Sequence, residues 1–156
     1  MGPGRRGVRA GRSTPLITLY TIGFTRSSAR SFFTRLEDAG VERVIDVRLS
    51  NSGQLAGFAK RDDLAYFLER LGGIGYHHEL ALAPTPELLD AYRTSHDWAA
   101  YAKGFARLLR KRRVEDLPRS EAACLLCSEH TAEHCHRRIA AEYLAEHWCD
   151  TRIVHL

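Results

Sequence analysis

The apolar run Ala122-Ala123-Cys124-Leu125-Leu126-Cys127 decides the fold that the sequence predicts. An almost continuous apolar run of this length is typical of a strand buried on both faces, as in the centre of a parallel sheet. Four other short segments are predicted as strands, at residues 17–22, 43–47, 75–78 and 151–156. Segments of helical period separate them. This alternation predicts an α/β domain with a mostly parallel sheet of about five strands.

The segments between the strands carry helix signals. Expected N-terminal caps are Ser27 or Ser28, Asp62 or Asp63, Thr85 before Pro86, and Asp97. The predicted inner faces of the first two helices are Ala29, Phe32, Phe33 and Leu36, and Leu64, Phe67, Leu68 and Leu71. A later helix has an apolar stripe, interpreted as core, of Trp98, Tyr101, Phe105, Leu108 and Leu109. A closing helix carries Ile139, Ala140, Tyr143 and Leu144. Helices on both sides of the sheet make a three-layer domain.

The length and composition are those of one globular domain. The chain has 156 residues, of which 44% are apolar and 27% charged. It has no apolar run of the roughly 18 to 20 residues that span a bilayer, and no signal-peptide core. We therefore expect a cytoplasmic protein without a membrane partner. Only three of the 23 basic residues are lysines, which we interpret as a GC-rich, bacterial coding sequence.

The net positive charge of the chain comes from its first fourteen residues. The formal net charge is +4, and the first fourteen residues contain four arginines and no acidic residue. The rest of the chain is therefore formally neutral. The segment 1–15 is rich in Gly and Arg without hydrophobic periodicity, so it is predicted to be a disordered basic arm before a single domain at 16–156.

Polar residues follow the predicted strands at the edge where ligands bind in open α/β sheets. After the first strand, Thr25 and Ser27 are candidate anion-binding residues beside a helix N-terminus. After the second, alternation places Asp46 and Arg48 on one side, as a catalytic acid and a substrate-binding guanidinium or as a structural ion pair. The polar segment 49–60 is long for a connection and is a candidate lid.

The densest chemistry lies between the central strand and the closing helix, at residues 127–138. Cys135, or Cys127 if it faces the crevice, is a candidate nucleophile, with His136 or His134 as base and Glu129 as acid or orienting group. Arg137 is a candidate substrate-binding residue. Alternatively, Cys127, Cys135 and one of His130, His134 or His136 bind Zn or Fe, although their spacing matches no standard zinc finger. Cys124 lies three residues from Cys127, so a strand places it on the opposite face.

Several motifs in order give the chain a family resemblance. They are Thr21-Ile22-Gly23-Phe24, Asp46-Val47-Arg48, Gly57-Phe58-Ala59-Lys60, Cys124-Leu125-Leu126-Cys127-Ser128-Glu129 and Cys135-His136-Arg137-Arg138. Together they resemble the family called domain of unknown function 488. Where the commoner branch has a proline-containing segment, this chain has Leu49-Ser50-Asn51-Ser52, and it resembles a branch with LAGFAK and LAPT segments. The resemblance implies an α/β fold and a site around the last two motifs, without an established reaction.

Two functions remain open from the sequence. The first is a cytosolic enzyme with a polar Cys, His, Glu and Arg crevice for an anionic substrate, either a small molecule such as a nucleotide or a nucleic acid. The second is a non-enzymatic metal-binding or thiol-sensing module. Catalysis requires Asp46, Arg48 and Arg137 to converge on the thiols, whereas sensing does not. The reaction, the oligomeric state and the cofactor are not determined by these patterns.

Deletion of residues 1–14 should leave the melting temperature almost unchanged, because this segment lacks an apolar face to pack. The same deletion should weaken nonspecific binding to nucleic acid, since it removes all of the net positive charge. Thermal denaturation and a salt-dependent DNA-binding titration measure the two effects. A large loss of stability would show that the arm is packed against the domain.

Overall fold

The computed structural model describes residues 16–52 and 57–156. The strands are β1 (Ile17–Gly23), β2 (Arg43–Asp46), β3 (Gly75–His78), β4 (Ala123–Cys127) and β5 (Thr151–His155). The helices are α1 (Ala29–Asp38), α2 (Arg61–Gly72), α3 (Pro86–Ser95), α4 (Trp98–Arg112) and α5 (His136–His147). The predicted arm at 1–15 and residues 53–56 of the candidate lid lie outside the described residues.

The five strands form one parallel sheet in the order β3-β2-β4-β1-β5. The strand β4 therefore lies at the centre, where its register pairs Gly23 with Cys127 and Asp46 with Leu126. All five residues of β4 are buried, as the apolar run predicts. The predicted α/β class with a parallel sheet of about five strands is confirmed.

Two apolar clusters cover the two faces of the sheet. Side chains of α4 and α5 pack on one face, including Phe105, Leu109 and Leu144. Side chains of α1 and α2 pack on the other, including Phe32 and Leu64. The predicted three-layer arrangement is therefore present. Cys127 belongs to the first cluster and Cys124 to the second, so the two cysteines of β4 lie on opposite faces, as the strand period requires.

Most of the predicted helix caps are present. The side chains of Ser28, Thr85 and Asp97 each accept a hydrogen bond from a backbone N–H in the first turn of α1, α3 and α4. The prediction for α2 was wrong, because this helix begins at Arg61 with Lys60 at the cap position. Asp62 and Asp63 instead lie in its first turn, where their negative charge interacts favourably with the positive end of the helix dipole.

Some residues expected on inner faces are exposed. Ala29 is exposed at the start of α1, and Leu71 is 56% exposed near the end of α2. Both lie in terminal turns, which extend past the edge of the apolar layer. Trp98 is only half-buried, whereas Tyr101, Phe105 and Leu109 of the same stripe are buried.

No helix in the described part of the chain is both long enough and apolar enough to cross a membrane.

The substitution Leu125→Ala should lower the free energy of unfolding by about 2–5 kcal/mol, because it leaves a cavity at a completely buried position in the central strand. The matched control Leu71→Ala removes the same atoms from an exposed helix position, so it should change stability by less than about 1 kcal/mol. Urea denaturation of both variants measures the difference. Equal losses would contradict the central position of β4.

Candidate functional site

A cavity of about 380 Å³ lies at the carboxyl edge of the sheet. Its polar lining comes from the residues that follow β2 and β4 and from the start of α5: Arg48, Ser50, Cys127, Ser128, Glu129, Cys135 and His136. Its aromatic lining comes from the end of β1 and from α3 and α4: Phe24, Tyr92, Trp98 and Tyr101. The ends of the first, second and central strands therefore meet in one pocket.

Cys127 and His136 form a hydrogen-bonded pair at this cavity. Cys127 is the last residue of β4 and His136 the first of α5, so the connecting loop brings the two side chains together. The Sγ atom of Cys127 lies 3.7 Å from Nδ1 of His136, and Nε2 of His136 lies 2.7 Å from the Val47 carbonyl oxygen. Because a carbonyl only accepts, Nε2 carries a proton and donates it. The lone pair or second proton of the imidazole at Nδ1 therefore faces the sulfur.

The surroundings favour the ionised form of Cys127. A hydrogen bond from the Cys135 thiol lowers the pKa of Cys127 and, against the opposing effect of burial, the neighbouring His136 and the backbone of Glu129 lower it further. Burial by itself lowers the pKa of His136, but the Cys127 thiolate and the Val47 carbonyl outweigh it and raise the pKa. The pair is therefore suited to exist as thiolate and imidazolium.

Cys135 has the opposite tendency. It is the cap residue of α5 and is 2% exposed. The interaction with Cys127 and burial raise its pKa, although Arg137 lowers it in part. Both candidate nucleophiles line the cavity, and Cys127 is the one that pairs with His136 and whose pKa is lowered. His134 also lines the cavity, but its ring packs against Trp98 at 5.0 Å between centroids.

The two candidates at the end of β2, Asp46 and Arg48, lie in different surroundings. Asp46 is completely buried and does not line the cavity. Its carboxylate accepts two hydrogen bonds from the Arg48 guanidinium, at 2.9 and 2.8 Å, and one from the Tyr76 hydroxyl at 2.6 Å. The guanidinium of Arg48 lies over the Phe24 ring at 5.1 Å. Asp46 therefore positions Arg48, and only Arg48 reaches the cavity.

The remaining candidates are held in hydrogen bonds outside the cavity lining. Arg137 is 1% exposed and donates to the Glu129 carbonyl at 2.7 Å and to the Thr21 hydroxyl at 3.3 Å. Thr25 donates to the Ser128 carbonyl, and Ser27 accepts from Arg35. In this arrangement Arg137 and Thr25 hold the loop that follows β4, whereas Ser27 is held by α1. The loop after β1 thus contributes Phe24 to the cavity lining and, through Thr25, a hydrogen bond to the loop after β4.

Sequence reasoning missed the aromatic wall and the Tyr76 contact. The helical spacing places Trp98 and Tyr101 in a core stripe, yet both also line the cavity, together with Tyr92 and Arg93. Their helical spacing gives no signal of this second role. Tyr76 lies in an edge strand whose alternation does not reveal its partner, because the hydrogen bond to Asp46 crosses from β3 to β2.

The fold and the site define a parallel α/β domain with a cysteine–histidine cluster at the carboxyl edge of its sheet. The family model described as "Domain of unknown function DUF488" matches residues 28–144. The chain therefore belongs to this family, as the motifs indicated. The match includes Asp46, Cys127, Cys135 and His136. No curated protein and no solved structure matches the chain.

The substitution Gly23→Ala tests the anchoring of the loop after β4. A Cβ atom at Gly23 would lie 1.6 Å from the Glu129 carbonyl oxygen and 3.0 Å from Nη1 of Arg137, so the loop must move. We expect a loss of stability of about 1–3 kcal/mol and altered chemical shifts for the His136 imidazole. The control Gly75→Ala places its Cβ no closer than 3.8 Å to a neighbour and should leave those shifts unchanged. An undisturbed imidazole in Gly23→Ala would contradict the proposed anchoring.

Proposed function

We propose that the protein is a cytosolic, thiol-dependent enzyme that acts on an anionic substrate related to nucleotides or nucleic acids. The observation that carries the proposal is the Cys127–His136 pair, with Sγ 3.7 Å from Nδ1 and the imidazole fixed by the Val47 carbonyl. A nucleophile beside a base that a third group orients is the common arrangement of covalent catalysis. A reducing compartment keeps the adjacent thiols of Cys127 and Cys135 available.

The pair can supply both the nucleophile and a proton. His136 takes the thiol proton at Nδ1, and the Cys127 thiolate attacks an electrophilic centre of the substrate. The bond to the leaving group breaks as Nδ1 returns that proton to it. Water then attacks the covalent intermediate and gives one proton to a base, the product leaves with the hydroxyl group, and the Cys127 thiolate is restored; the proton then passes to Nδ1 of His136. Glu129 lines the cavity with an exposed side chain, so its carboxylate is the candidate base for this water.

The cavity lining supports the substrate class. Arg48 and Arg93 line it together with the aromatic residues Tyr92 and Trp98, although the Arg48 guanidinium also donates to Asp46 and to the Ala59 carbonyl. Guanidinium groups bind phosphate and carboxylate, and aromatic rings stack on planar bases. A volume of about 380 Å³ is in the range of small-molecule sites. It favours a single nucleotide or one nucleotide unit of a strand over a duplex.

A metal-binding or thiol-sensing module is the second candidate. The observation in its favour is that one ligand atom from each of Cys127, Cys135 and His136 lies within 4.8 Å of the other two. A pure sensor needs no substrate cavity. Arg48 and Glu129 nevertheless line the same cavity as the thiols, which supports the enzyme over the sensor. Of the three residues whose convergence distinguishes catalysis from sensing, only Arg48 reaches the cavity, so the absence of Asp46 and Arg137 from its lining weighs against the enzyme on that criterion.

Alkylation of chelator-treated protein with iodoacetamide, mapped by mass spectrometry, tests the nucleophile. Cys127 should react faster than Cys124 and Cys135, because its thiolate faces the cavity beside His136. His136→Gln should slow the reaction of Cys127 by at least about tenfold, the effect of one pKa unit. His134→Gln, a control in the same cavity, should leave the rate unchanged. The exposed Cys149 provides the reference rate in every variant.

The same assay tests the substrate class. Adenosine monophosphate should protect Cys127 from iodoacetamide more strongly than adenosine, because only the nucleotide carries an anion for the guanidinium groups. Equal protection by both compounds would contradict an anionic substrate. Fastest reaction at Cys135, or an unchanged Cys127 rate in His136→Gln, would contradict the assigned nucleophile.

A further inference from the structure

We propose that Cys127, Cys135 and His136 form a binding site for Zn²⁺, and that the bound ion switches off the nucleophile. The inhibitory consequence rests on the proposed function, whereas the metal site stands on the geometry of the cluster. The three side chains come from the end of β4 and the start of α5, and their ligand atoms lie within 4.8 Å of one another.

The distances are close to those of tetrahedral zinc. Zn–S bonds of about 2.3 Å and Zn–N bonds of about 2.05 Å at the tetrahedral angle place sulfur and nitrogen about 3.6 Å apart. The distance from Cys127 Sγ to His136 Nδ1 is 3.7 Å. Two sulfurs on one zinc ion lie about 3.8 Å apart, so Cys135 needs a shift of no more than about 1 Å from the 4.8 Å limit.

The histidine is already oriented as a ligand. Ligating histidines donate their other ring N–H to a carbonyl, carboxylate or water, which fixes the tautomer and the ring plane. In His136 this partner is the Val47 carbonyl, 2.7 Å from Nε2. The other ring nitrogen, Nδ1, faces the sulfur of Cys127 and binds the metal once its proton is released. The hydrogen bond that orients a zinc-binding histidine is thus already made by His136 without a metal.

The donor set and charge select a soft divalent cation. Two thiolates and one imidazole suit Zn²⁺ and exclude the oxygen-seeking Mg²⁺. Binding releases two protons, one from the Cys135 thiol and one shared by Cys127 and His136. The two charges of Zn²⁺ replace the charges of these two protons, so the net charge of the site is unchanged. The three ligands line the cavity, and water from it completes the tetrahedron. The Cys127 thiolate then holds the metal and no longer attacks a substrate.

Cobalt spectroscopy of the full chain, stripped with a chelator, tests the site directly. Co²⁺ should bind at one equivalent with thiolate-to-cobalt charge-transfer absorption and tetrahedral d–d bands, and Zn²⁺ should displace it. Cys135→Ser should weaken Zn²⁺ binding by more than about 100-fold, since a lost ligand exceeds the effect of a lost outer contact. Cys149→Ser removes an exposed cysteine outside the cluster and should bind as the unmodified chain does. Mg²⁺ is the control cation.

Alkylation separates this inference from the proposed function. One equivalent of Zn²⁺ should suppress the reaction of Cys127 at least about tenfold and leave Cys149 unchanged, because a metal protects its thiolates until a chelator removes it. Rapid Cys127 alkylation unaffected by Zn²⁺ would overturn the metal site and leave the nucleophile standing. Suppression by Zn²⁺ together with slow Cys127 alkylation in stripped protein would support the metal site and overturn the thiol enzyme. Metal binding that persists in Cys135→Ser, or is lost in Cys149→Ser, would overturn the ligand assignment.

Discussion

The contact between the Glu129 carbonyl, Gly23 and Arg137 is the constraint on which the site depends. A side chain at position 23 has no room, because the carbonyl lies directly over the backbone of β1. The buried Arg137 guanidinium then donates to the same oxygen. Since Glu129 follows Cys127 by two residues and Arg137 follows His136 by one, this contact fixes both ends of the cysteine–histidine loop. The separation of Cys127 and His136 follows from it.

A second network holds the neighbouring edge. The buried carboxylate of Asp46 is fully engaged by Arg48 and Tyr76. A buried ion pair is weak evidence of stability, because desolvation offsets much of the attraction. Its consequence here is positional: it directs the Arg48 guanidinium towards Phe24 and the cavity. The carbonyl of Val47 lies between the two members of this pair in sequence and accepts from His136, so the two networks meet.

One cluster of side chains therefore supports two chemistries with a common origin. The features that favour a thiolate at Cys127, namely a fixed imidazole and a neighbouring thiol, are also those of a soft metal site. Nucleophile and ligand both require the deprotonated sulfur. In the proposed enzyme the metal-free pair attacks an electrophile, and in the proposed zinc site the same electron pair of the sulfur binds the metal. The cavity beside it determines which molecules reach that sulfur.

The sequence by itself determined the parallel α/β fold and the segment that carries the chemistry. The fold follows from local signals: a continuously apolar strand, the alternation of strands and helices, and capping residues such as Ser28, Thr85 and Asp97. These signals depend on neighbouring residues in the sequence and agree with the elements in the structure. Only the tertiary structure decided which members of the segment face the cavity. Arg137 and Asp46 resemble ligand-binding residues in the sequence, yet both are buried in internal hydrogen bonds. Trp98 resembles core but lines the cavity. The partners of these side chains lie on other strands and helices, so no spacing along the chain contains the distances that assign their roles.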